Sequence, residues 1–196
     1  MKPVVRSLQD HTERTAAIPQ LAALRIAVFR DWPYLYDGTV AYETDYLREF
    51  AAEPGAVLVV AECDGAIVGA ATASPMASQK AEFRDAVRAH GFEVERLFYF
   101  GESVLLPAFR GLGIGHDFFD AREAAARDAG AIAAVFCAVV RPESHPLKPA
   151  DARDLSPFWR ARGYAPVERL TCSFDWKDVD QPDESSHAMQ FWLRSL

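Results

Sequence analysis

Three glycines at alternating positions, Gly111, Gly113 and Gly115, follow an apolar stretch that ends at Pro107. At the start of a helix, about four backbone N–H groups lack a partner within the helix, and they add to the positive end of the helix dipole. Glycine has no Cβ, so the backbone at these positions can approach an anion closely. Arg110 adds a positive charge beside the loop. The pattern predicts a binding site for a phosphate or a pyrophosphate.

Two common phosphate-binding loops do not fit this segment. A Walker loop requires Lys-Ser or Lys-Thr after the glycines, and neither pair follows Gly115. The dinucleotide fingerprint G-x-G-x-x-G requires a glycine where this sequence has His116, so the third glycine comes one place early. The acidic residue that would bind a ribose is also missing, because the next predicted strand closes with Val140 and Arg141.

The arginine and two of the glycines form the pattern R-x-x-G-x-G at Arg110, Gly113 and Gly115. This pattern, placed after a strand and Pro107, resembles the acetyl-CoA loop of the GNAT superfamily of N-acetyltransferases. Residues 159–164 are similar to the aromatic-x-x-x-Gly-aromatic motif of that family, and the resemblance covers nearly the whole chain. The alternative is a turn between a strand and a helix in which the glycines serve only packing.

The resemblance implies an acyl-CoA N-acyltransferase fold of the mixed α/β (α+β) class, with a central mixed sheet and helices on both faces. It implies acetyl-CoA as the co-substrate, with pantetheine between two strands, residues 97–106 and 131–140, that splay apart at their ends. The amide of Leu105 would then donate to the thioester oxygen while the acceptor amine attacks directly. The implied cofactor-binding residues are Val104, Leu105, Leu106, Arg110, Gly111, Leu112, Gly113, Ile114, Gly115 and His116.

A direct attack requires a base that takes the proton of the acceptor ammonium. Glu102 is the candidate, because it is a carboxylate in an otherwise apolar strand, three residues before Leu105. The family often has an acidic residue in this part of the strand. The alternative is a structural carboxylate that pairs with an arginine or caps a loop.

The group that protonates the departing thiolate is less clearly marked. Many family members have a Tyr four residues before the glycine of the short helix, but this chain has Trp159 there, and an indole cannot protonate a thiolate. His145, in a proline-rich loop, is the catalytic candidate, and an exposed loop histidine is the alternative. Tyr99, Ser156 and a water molecule are further candidates.

An aromatic run between the first two predicted helices indicates where the acceptor binds. Trp32, Tyr34 and Tyr36 fall in the segment that commonly covers the acceptor pocket in this family, and ring faces attract amines. A hydrophobic plug is the alternative. The predicted acceptor is the amine of a small molecule. A protein N-terminus or lysine as acceptor, and a non-catalytic acyl-CoA sensor, are the alternatives.

Two other segments have more than one interpretation. Residues 78–90 form an additional element relative to the minimal family pattern, and we expect a lid or an interface. The basic loop at residues 141–153 is expected to be solvated surface. Its alternative role is contact with the 3′-phosphate of CoA or with an acidic substrate.

The elements that position these residues follow from hydrophobic spacing and turn signals. Thr39 is expected to cap a helix, and the pair Asp64-Gly65 fits a type I′ turn between two strands. The strand, helix and strand around the glycine loop predict a βαβ unit with parallel strands. The predicted strands are residues 4–8, 57–63, 66–74, 97–106, 131–140, 164–176 and 188–194, and the predicted helices are residues 18–30, 39–53, 78–90, 115–129 and 156–163.

Composition sets the broad class of the protein. The 196 residues are 50% hydrophobic and 25% charged, which predicts a single N-acetyltransferase domain over residues 1–196. A net charge of −7 disfavours a nucleic-acid partner. No apolar run approaches the ~20 residues of a membrane span, and residues 1–10 lack the core of a signal peptide. We therefore expect a cytoplasmic protein without a membrane partner.

The potential metal ligands show no metal-site spacing. Cys63, Cys137 and Cys172 are scattered and odd in number, and the histidines do not pair at ligand distances along the chain. No metal is expected. The family resemblance is compatible with a homodimer.

Overall fold

All strands of the protein form one mixed sheet in the computed structural model, which describes residues 2–196. The strands are β1 (Val4–Ser7), β2 (Val57–Cys63), β3 (Ala66–Pro75), β4 (Leu97–Leu105), β5 (Ala133–Val139), β6 (Ala165–Lys177) and β7 (Glu184–Ser195). Their spatial order is β1-β2-β3-β4-β5-β7-β6. Neighbouring strands are antiparallel except β4 and β5, which are parallel. The predicted βαβ unit is therefore confirmed.

Helices cover both faces of this sheet, as the predicted fold requires. The helices are α1 (His11–Phe29), α2 (Val40–Ala52), α3 (Ala81–Ala89), α4 (Ile114–Asp128) and α5 (Ser156–Ala161). On one face, α1 packs with Val104 and α3 packs with Tyr99. On the other face, α4 packs with Phe100. No helix within residues 2–196 is both long and apolar enough to cross a lipid bilayer.

Several boundaries differ from the predictions because of capping and pairing. α1 begins at His11 rather than at residue 18, since Oδ1 of Asp10 accepts the amide of Glu13 at 2.9 Å and caps the earlier turn. The helix continues through Pro19, which only lacks one donor. β7 begins at Glu184 rather than at residue 188, because it pairs with β6 from that point. Residues 76–78 form a separate 3₁₀ turn before α3.

Two local predictions are confirmed by the backbone. Asp64 and Gly65 have φ angles of 50° and 80°, the two positive values that a type I′ turn requires. Oγ1 of Thr39 accepts the amide of Tyr42 at 3.3 Å and caps α2. These features are set by neighbours in the chain, so the sequence was sufficient to find them.

The two parallel strands diverge after a short paired stretch. Their pairing ends at Tyr99 opposite Val135. β4 continues to Leu105 and β5 continues to Val139 without further pairing to each other. We call the opening between these two strand ends the wedge. Its existence confirms the splay that the family resemblance implied.

A β-bulge in β4 decides which face the later side chains occupy. Gly101 and Glu102 lie together opposite Thr72. An extra residue shifts the alternation of side chains by one position, so Phe100 before the bulge and Leu105 after it both face α4. Glu102 therefore lies on the face of α1. A Cβ at Gly101 would come within 2.5 Å of Oγ1 of Thr72, which explains the glycine at the bulge.

Candidate active site

The loop between β4 and α4 carries a row of unpartnered amides. Gly111 and Gly113 have φ angles of 81° and 85°, which residues with a Cβ adopt only with strain. Within residues 2–196, the N–H groups of residues 111–115 have no hydrogen-bond partner, whereas the amide of His116 already donates to O of Gly113 at 2.9 Å. The loop therefore directs successive donors outward at the positive end of α4, which suits a pyrophosphate.

Two basic side chains border this loop. Nζ of Lys2 lies 4.0 Å from the position that a Cβ on Gly113 would take, and it pairs with Asp117 at 3.2 Å. Arg110, which the sequence placed at the rim, folds back so that its Nε donates to O of Leu105 at 3.2 Å. Lys2 was not predicted as a neighbour of the loop, because nothing in the local sequence indicates that β1 lies beside α4.

The short helix α5 packs on the start of α4. The ring centre of Phe158 lies 4.9 Å from that of His116. The ring of Trp159 lies 5.1 Å from Phe136 and 5.0 Å from Trp192, so it is part of an aromatic cluster. The residue that replaces the usual tyrosine of the family therefore has a packing role.

The amides at the end of β4 do not all face the wedge. Leu106 donates its N–H to O of Val68 at 2.9 Å, so this amide is already used. Bonded and non-bonded positions alternate along antiparallel strands, so the amide of Val104 also points to β3. The amide of Leu105 points the other way, into the wedge. Among Val104, Leu105 and Leu106, which the family resemblance assigns to the cofactor, only Leu105 has an N–H that is free to donate into the wedge.

Glu102 lies beside the wedge and carries an arginine partner. Its carboxylate forms an ion pair with the guanidinium of Arg25 from α1, and 10% of the Glu102 side chain is exposed. The same guanidinium pairs with Glu43 from α2. This pairing with an arginine agrees with the alternative prediction that Glu102 is a structural carboxylate. The second carboxylate leaves the group with an excess negative charge, which a simple structural pair would not have.

Arg122 of α4 supports the bulge from the opposite face. Its side chain is buried and donates to O of Thr72 at 3.3 Å, to O of Glu102 at 3.1 Å and to Oγ of Ser103 at 2.8 Å. Burial lowers the pKa of Arg122 to about 10. This value is still well above neutral pH, so the guanidinium remains charged. The sequence did not reveal this residue, because α4 was expected to bury only apolar side chains.

Replacing Arg122 with Met is expected to destabilise the protein by about 3 kcal/mol, because buried acceptors that lose their donors cost about 1–3 kcal/mol each. Urea unfolding measures the loss. Arg127→Met is the matched control in the same helix, since the Arg127 side chain is 47% exposed. It should cost about 1 kcal/mol or less. Equal stability of the two variants would show that the bulge does not depend on Arg122.

Of the two alternative side-chain donors, Tyr99 is poorly suited to protonate a thiolate. Tyr99 is buried, and its hydroxyl lies 3.1 Å from Sγ of Cys137. Burial and the Cys137 thiol raise the pKa of Tyr99 well above its usual range. Ser156 begins α5, and its amide donates to Oδ1 of Asp154 at 2.8 Å.

His145 lies against the aromatic run. Its ring centre is 5.4 Å from that of Trp32. The amide of Leu147 donates to Nδ1 of His145 at 3.2 Å, so the proton of the neutral ring is on Nε2. The structure thus brings together the candidate acid and one of the candidate acceptor-binding residues.

Arg141 fixes the loop that carries the aromatic run. It donates to O of Pro33 at 2.9 Å and to O of Tyr34 at 2.6 Å. Both oxygens of Asp178 accept from its guanidinium at 2.8 Å. The Arg141 and Asp178 side chains are only 7% and 6% exposed. The expectation of solvated surface for residues 141–153 is therefore wrong for Arg141, which is a structural anchor.

The two tyrosines of the run lie close to the carboxylates. The ring of Tyr34 packs 4.7 Å from that of Phe29. Burial raises the pKa of Tyr34, and the charge of Glu102 adds to the effect. Burial and then the charge of Glu43 raise the pKa of Tyr36. Both phenols therefore stay protonated at neutral pH and can act as hydrogen-bond donors.

Helix α3, within the predicted element at residues 78–90, packs on the sheet. The ring of Phe83 lies 5.5 Å from Tyr99, 4.5 Å from Phe174 and 6.1 Å from Phe191. Val87 is buried in the same cluster. The apolar face of α3 is thus part of the core, and a lid or interface role would use its other face.

Ser185, His187 and Asp178 lie close enough together to suggest a catalytic triad. Oγ of Ser185 lies 3.2 Å from Nε2 of His187, and Oδ1 of Asp178 lies 3.4 Å from the same nitrogen. A proton relay needs one partner on each ring nitrogen, so this arrangement is not a triad. In the part of the chain that the structure describes, no group of three or more His, Cys, Asp or Glu is placed to hold a metal ion.

Comparisons with known proteins identify the family of the chain and match its fold. The acetyltransferase (GNAT) family matches residues 21–148, and no curated protein matches the sequence. A ribosomal-protein-alanine N-acetyltransferase from Brucella melitensis is 16% identical over 98% of this chain and 99% of that chain, with a TM-score of 0.62. An N-acetyltransferase from Staphylococcus aureus Mu50 is 12% identical over 100% of this chain and 99% of that chain, with a TM-score of 0.64. The protein yncA from Salmonella typhimurium is 14% identical over 100% of this chain and 95% of that chain, with a TM-score of 0.60. Its structure was solved with its cofactor acetyl-CoA.

Proposed function

Because the chain belongs to the acetyltransferase (GNAT) family and is an acyltransferase, we propose that it transfers the acetyl group of acetyl-CoA directly to the amine of a small molecule. The observation that carries the proposal is the row of unpartnered amides at residues 111–115, next to the wedge between β4 and β5. A pyrophosphate on these amides would direct the rest of the cofactor toward the wedge.

The residues around the loop fit the cofactor by charge and by space. Lys2 and the dipole of α4 supply positive charge. Among residues 2–196, a Cβ at Gly113 would have only Nζ of Lys2 within 4.0 Å, so the backbone there is open to an anion. In this proposal the amide of Leu105 donates to the thioester oxygen as negative charge develops on it. When the cofactor binds, Arg110 would either keep its hydrogen bond to the carbonyl of Leu105 or give up that bond to the cofactor.

Glu102 is the proposed base, and the aromatic run is the proposed acceptor side. The carboxylate is beside the wedge and is partly exposed, so it can take a proton from a bound ammonium. Tyr34 and Tyr36 can donate hydrogen bonds to a bound acceptor, and the face of Trp32 can hold an amine.

The anchoring of the aromatic loop supports a small acceptor. Arg141 and Asp178 hold the backbone of Pro33 and Tyr34 through a buried ion pair. A loop fixed in this way favours a closed pocket, whereas a protein acceptor usually needs an open groove. The Brucella melitensis neighbour is named for a ribosomal-protein alanine, so a protein N-terminus is the acceptor that the experiment must separate from a small amine.

The experiment is release of free CoA thiol by the purified protein with acetyl-CoA and a panel of acceptors. The panel contains small amines, peptides with free N-termini and peptides with internal lysines. We expect one class of small amine to reach a kcat/KM of about 10⁴ M⁻¹ s⁻¹ or more, with acetylated product found by mass spectrometry. Faster transfer to peptides would contradict the small-molecule acceptor. Acetyl-CoA binding without transfer would contradict the enzyme and favour the sensor.

His145 is proposed as the acid that protonates the departing thiolate. The change His145→Gln should lower kcat by about 10-fold or more and should abolish a fall in rate at high pH, because an acid must carry its proton. The pH profile of kcat measures both effects. His90→Gln, at the exposed end of α3, is the control. An unchanged profile for His145→Gln would leave it as a loop residue that only packs on Trp32.

A further inference from the structure

Three charged side chains from three separate elements meet on one face of the sheet. Arg25 comes from α1, Glu43 from α2 and Glu102 from the bulge of β4. Arg25 pairs with both carboxylates. The exposed fractions of the side chains are 11% for Arg25, 0% for Glu43 and 10% for Glu102, so the group opens to solvent only on the side of Glu102 and Arg25.

The guanidinium of Arg25 is held as a cation by its surroundings. Its central carbon lies 5.0 Å from the ring centre of Phe29 and 4.5 Å from that of Tyr46. Burial alone would lower the pKa of Arg25, but the charges of Glu102 and Glu43 outweigh burial and raise it. The group therefore contains one positive and two negative charges.

A group with a purely structural role would not need the second carboxylate. One guanidinium and one carboxylate already balance, and a further buried carboxylate costs free energy unless it is fully paired. Oε1 of Glu43 is buried and accepts no hydrogen bond of standard geometry within residues 2–196, although the Tyr36 hydroxyl lies beside the Glu43 carboxylate. Glu43 is thus retained at an unfavourable site, which indicates that its charge serves another purpose.

We propose that Arg25 and Glu43 are positioning residues for acetyl transfer. Arg25 holds the carboxylate of Glu102 at the wedge, and Glu43 offsets the charge of Arg25 so that Glu102 can still accept a proton. Without Glu43, the full positive charge of Arg25 would act on Glu102 and weaken it as a base. This inference rests on the proposed function, and it adds two residues that do not touch the acceptor.

The proton balance of the step assigns a destination to each proton. Glu102 takes one proton from the acceptor ammonium, and the free amine attacks the thioester carbon. The N–C bond forms, the C–S bond breaks, and the thiolate leaves with its electron pair. The nitrogen loses its second proton to the sulfur, through His145 or water, and Glu102 returns its proton to solvent. Only the first proton transfer depends on Arg25 and Glu43.

The test compares the pH dependence of kcat for Glu43→Gln with that of the unmodified protein. The midpoint of the acidic limb is expected to move down by about one pH unit, because a negative charge is lost beside Arg25. The kcat on the plateau is expected to fall by about 3- to 10-fold, because the base is weaker. The KM for acetyl-CoA should stay within about two-fold of its original value, since the glycine loop is unchanged.

Two further variants distinguish positioning from a loss of folding. Asp45→Asn removes the same charge from α2 at a side chain that is 72% exposed, and it should leave the profile unchanged. Glu43→Asp keeps the charge and should restore the original midpoint. Arg25→Lys keeps the positive charge but loses the forked geometry, and it should lower kcat by about 10-fold with a smaller change of the midpoint.

The outcomes separate this inference from the proposed function. An acidic limb of Glu43→Gln that coincides with that of Asp45→Asn overturns the positioning role, even if the variant unfolds more easily in urea. A Glu43→Asp variant with a shifted midpoint also overturns it. Failure of the unmodified protein to acetylate any amine would contradict the proposed function instead. A shift present in Glu43→Gln and absent in Glu43→Asp supports the inference.

Discussion

Replacing Glu102 with Gln is expected to lower kcat for acetyl transfer by about 10²- to 10⁴-fold, the contribution usual for a positioned general base. Gln keeps the size of the side chain but cannot accept the ammonium proton. The Kd for acetyl-CoA should change by less than about two-fold, because the glycine loop is formed by other residues. Stopped-flow or steady-state release of CoA thiol measures kcat, and calorimetry measures Kd.

The design of this experiment separates chemistry from folding. Glu95→Gln is the control, because Glu95 precedes β4 and its side chain is 73% exposed. It should keep full activity. Raising the pH increases the fraction of free amine, so it should recover part of the activity of Glu102→Gln. A Glu102→Gln variant with the kcat of the unmodified protein would remove Glu102 from the mechanism and leave it as the structural partner of Arg25.

Replacing Gly113 with Asp is expected to raise the Kd for acetyl-CoA by about 100-fold or more. The new carboxylate would lie at the row of amides, where repulsion of an anion at about 4 Å costs between ~1 and ~4 kcal/mol according to the local dielectric. Gly113 also has a φ of 85°, where a Cβ costs about 1–2 kcal/mol in the folded protein. Calorimetric titration with CoA measures the change in affinity, and urea unfolding measures the change in stability.

Gly91→Asp separates these two effects. Gly91 has a φ of 82°, and no atom of the described residues 2–196 lies within 4 Å of its Cβ position, so the same substitution brings the same backbone strain away from the glycine loop. Both variants should lose similar stability, and only Gly113→Asp should lose affinity. If Gly113→Asp binds CoA as tightly as Gly91→Asp does, the glycine loop is not the cofactor site and the proposed function fails.

The sequence was informative where neighbouring residues determine the structure. The Asp64-Gly65 turn, the Thr39 cap and the glycine loop all depend on residue types within a few positions, and the structure confirms their geometry. The divergence of β4 and β5 came from the family resemblance rather than from spacing. The early start of α1 was missed because an Asp cap at residue 10 lies well before the first strong apolar period.

Long-range contacts around the site could not be predicted from the sequence. Arg25, Glu43 and Glu102 are far apart in the chain, and no periodicity shows that they share one ion pair network. The bulge at Gly101 moves the Glu102 side chain from the α4 face of the sheet to the α1 face. A single glycine in a strand does not show in the sequence that such a shift occurs. Arg122 lies in a helix whose spacing predicts an apolar stripe. Its buried hydrogen bonds to the bulge therefore could not be predicted from the sequence.

Asp178, which fixes the aromatic loop through Arg141, lies in a different part of the chain from the glycine loop. The family match ends at residue 148, yet Asp178 follows β6, and β7 is the neighbour of β5 in the sheet. A fragment limited to the matched residues would retain all amides of the glycine loop, but it would leave β5 as a bare edge and would lack Asp178, the ion-pair partner that fixes Arg141. In the proposed function, variation in the last two strands would therefore change which amine is accepted and would leave the glycine loop for acetyl-CoA unchanged.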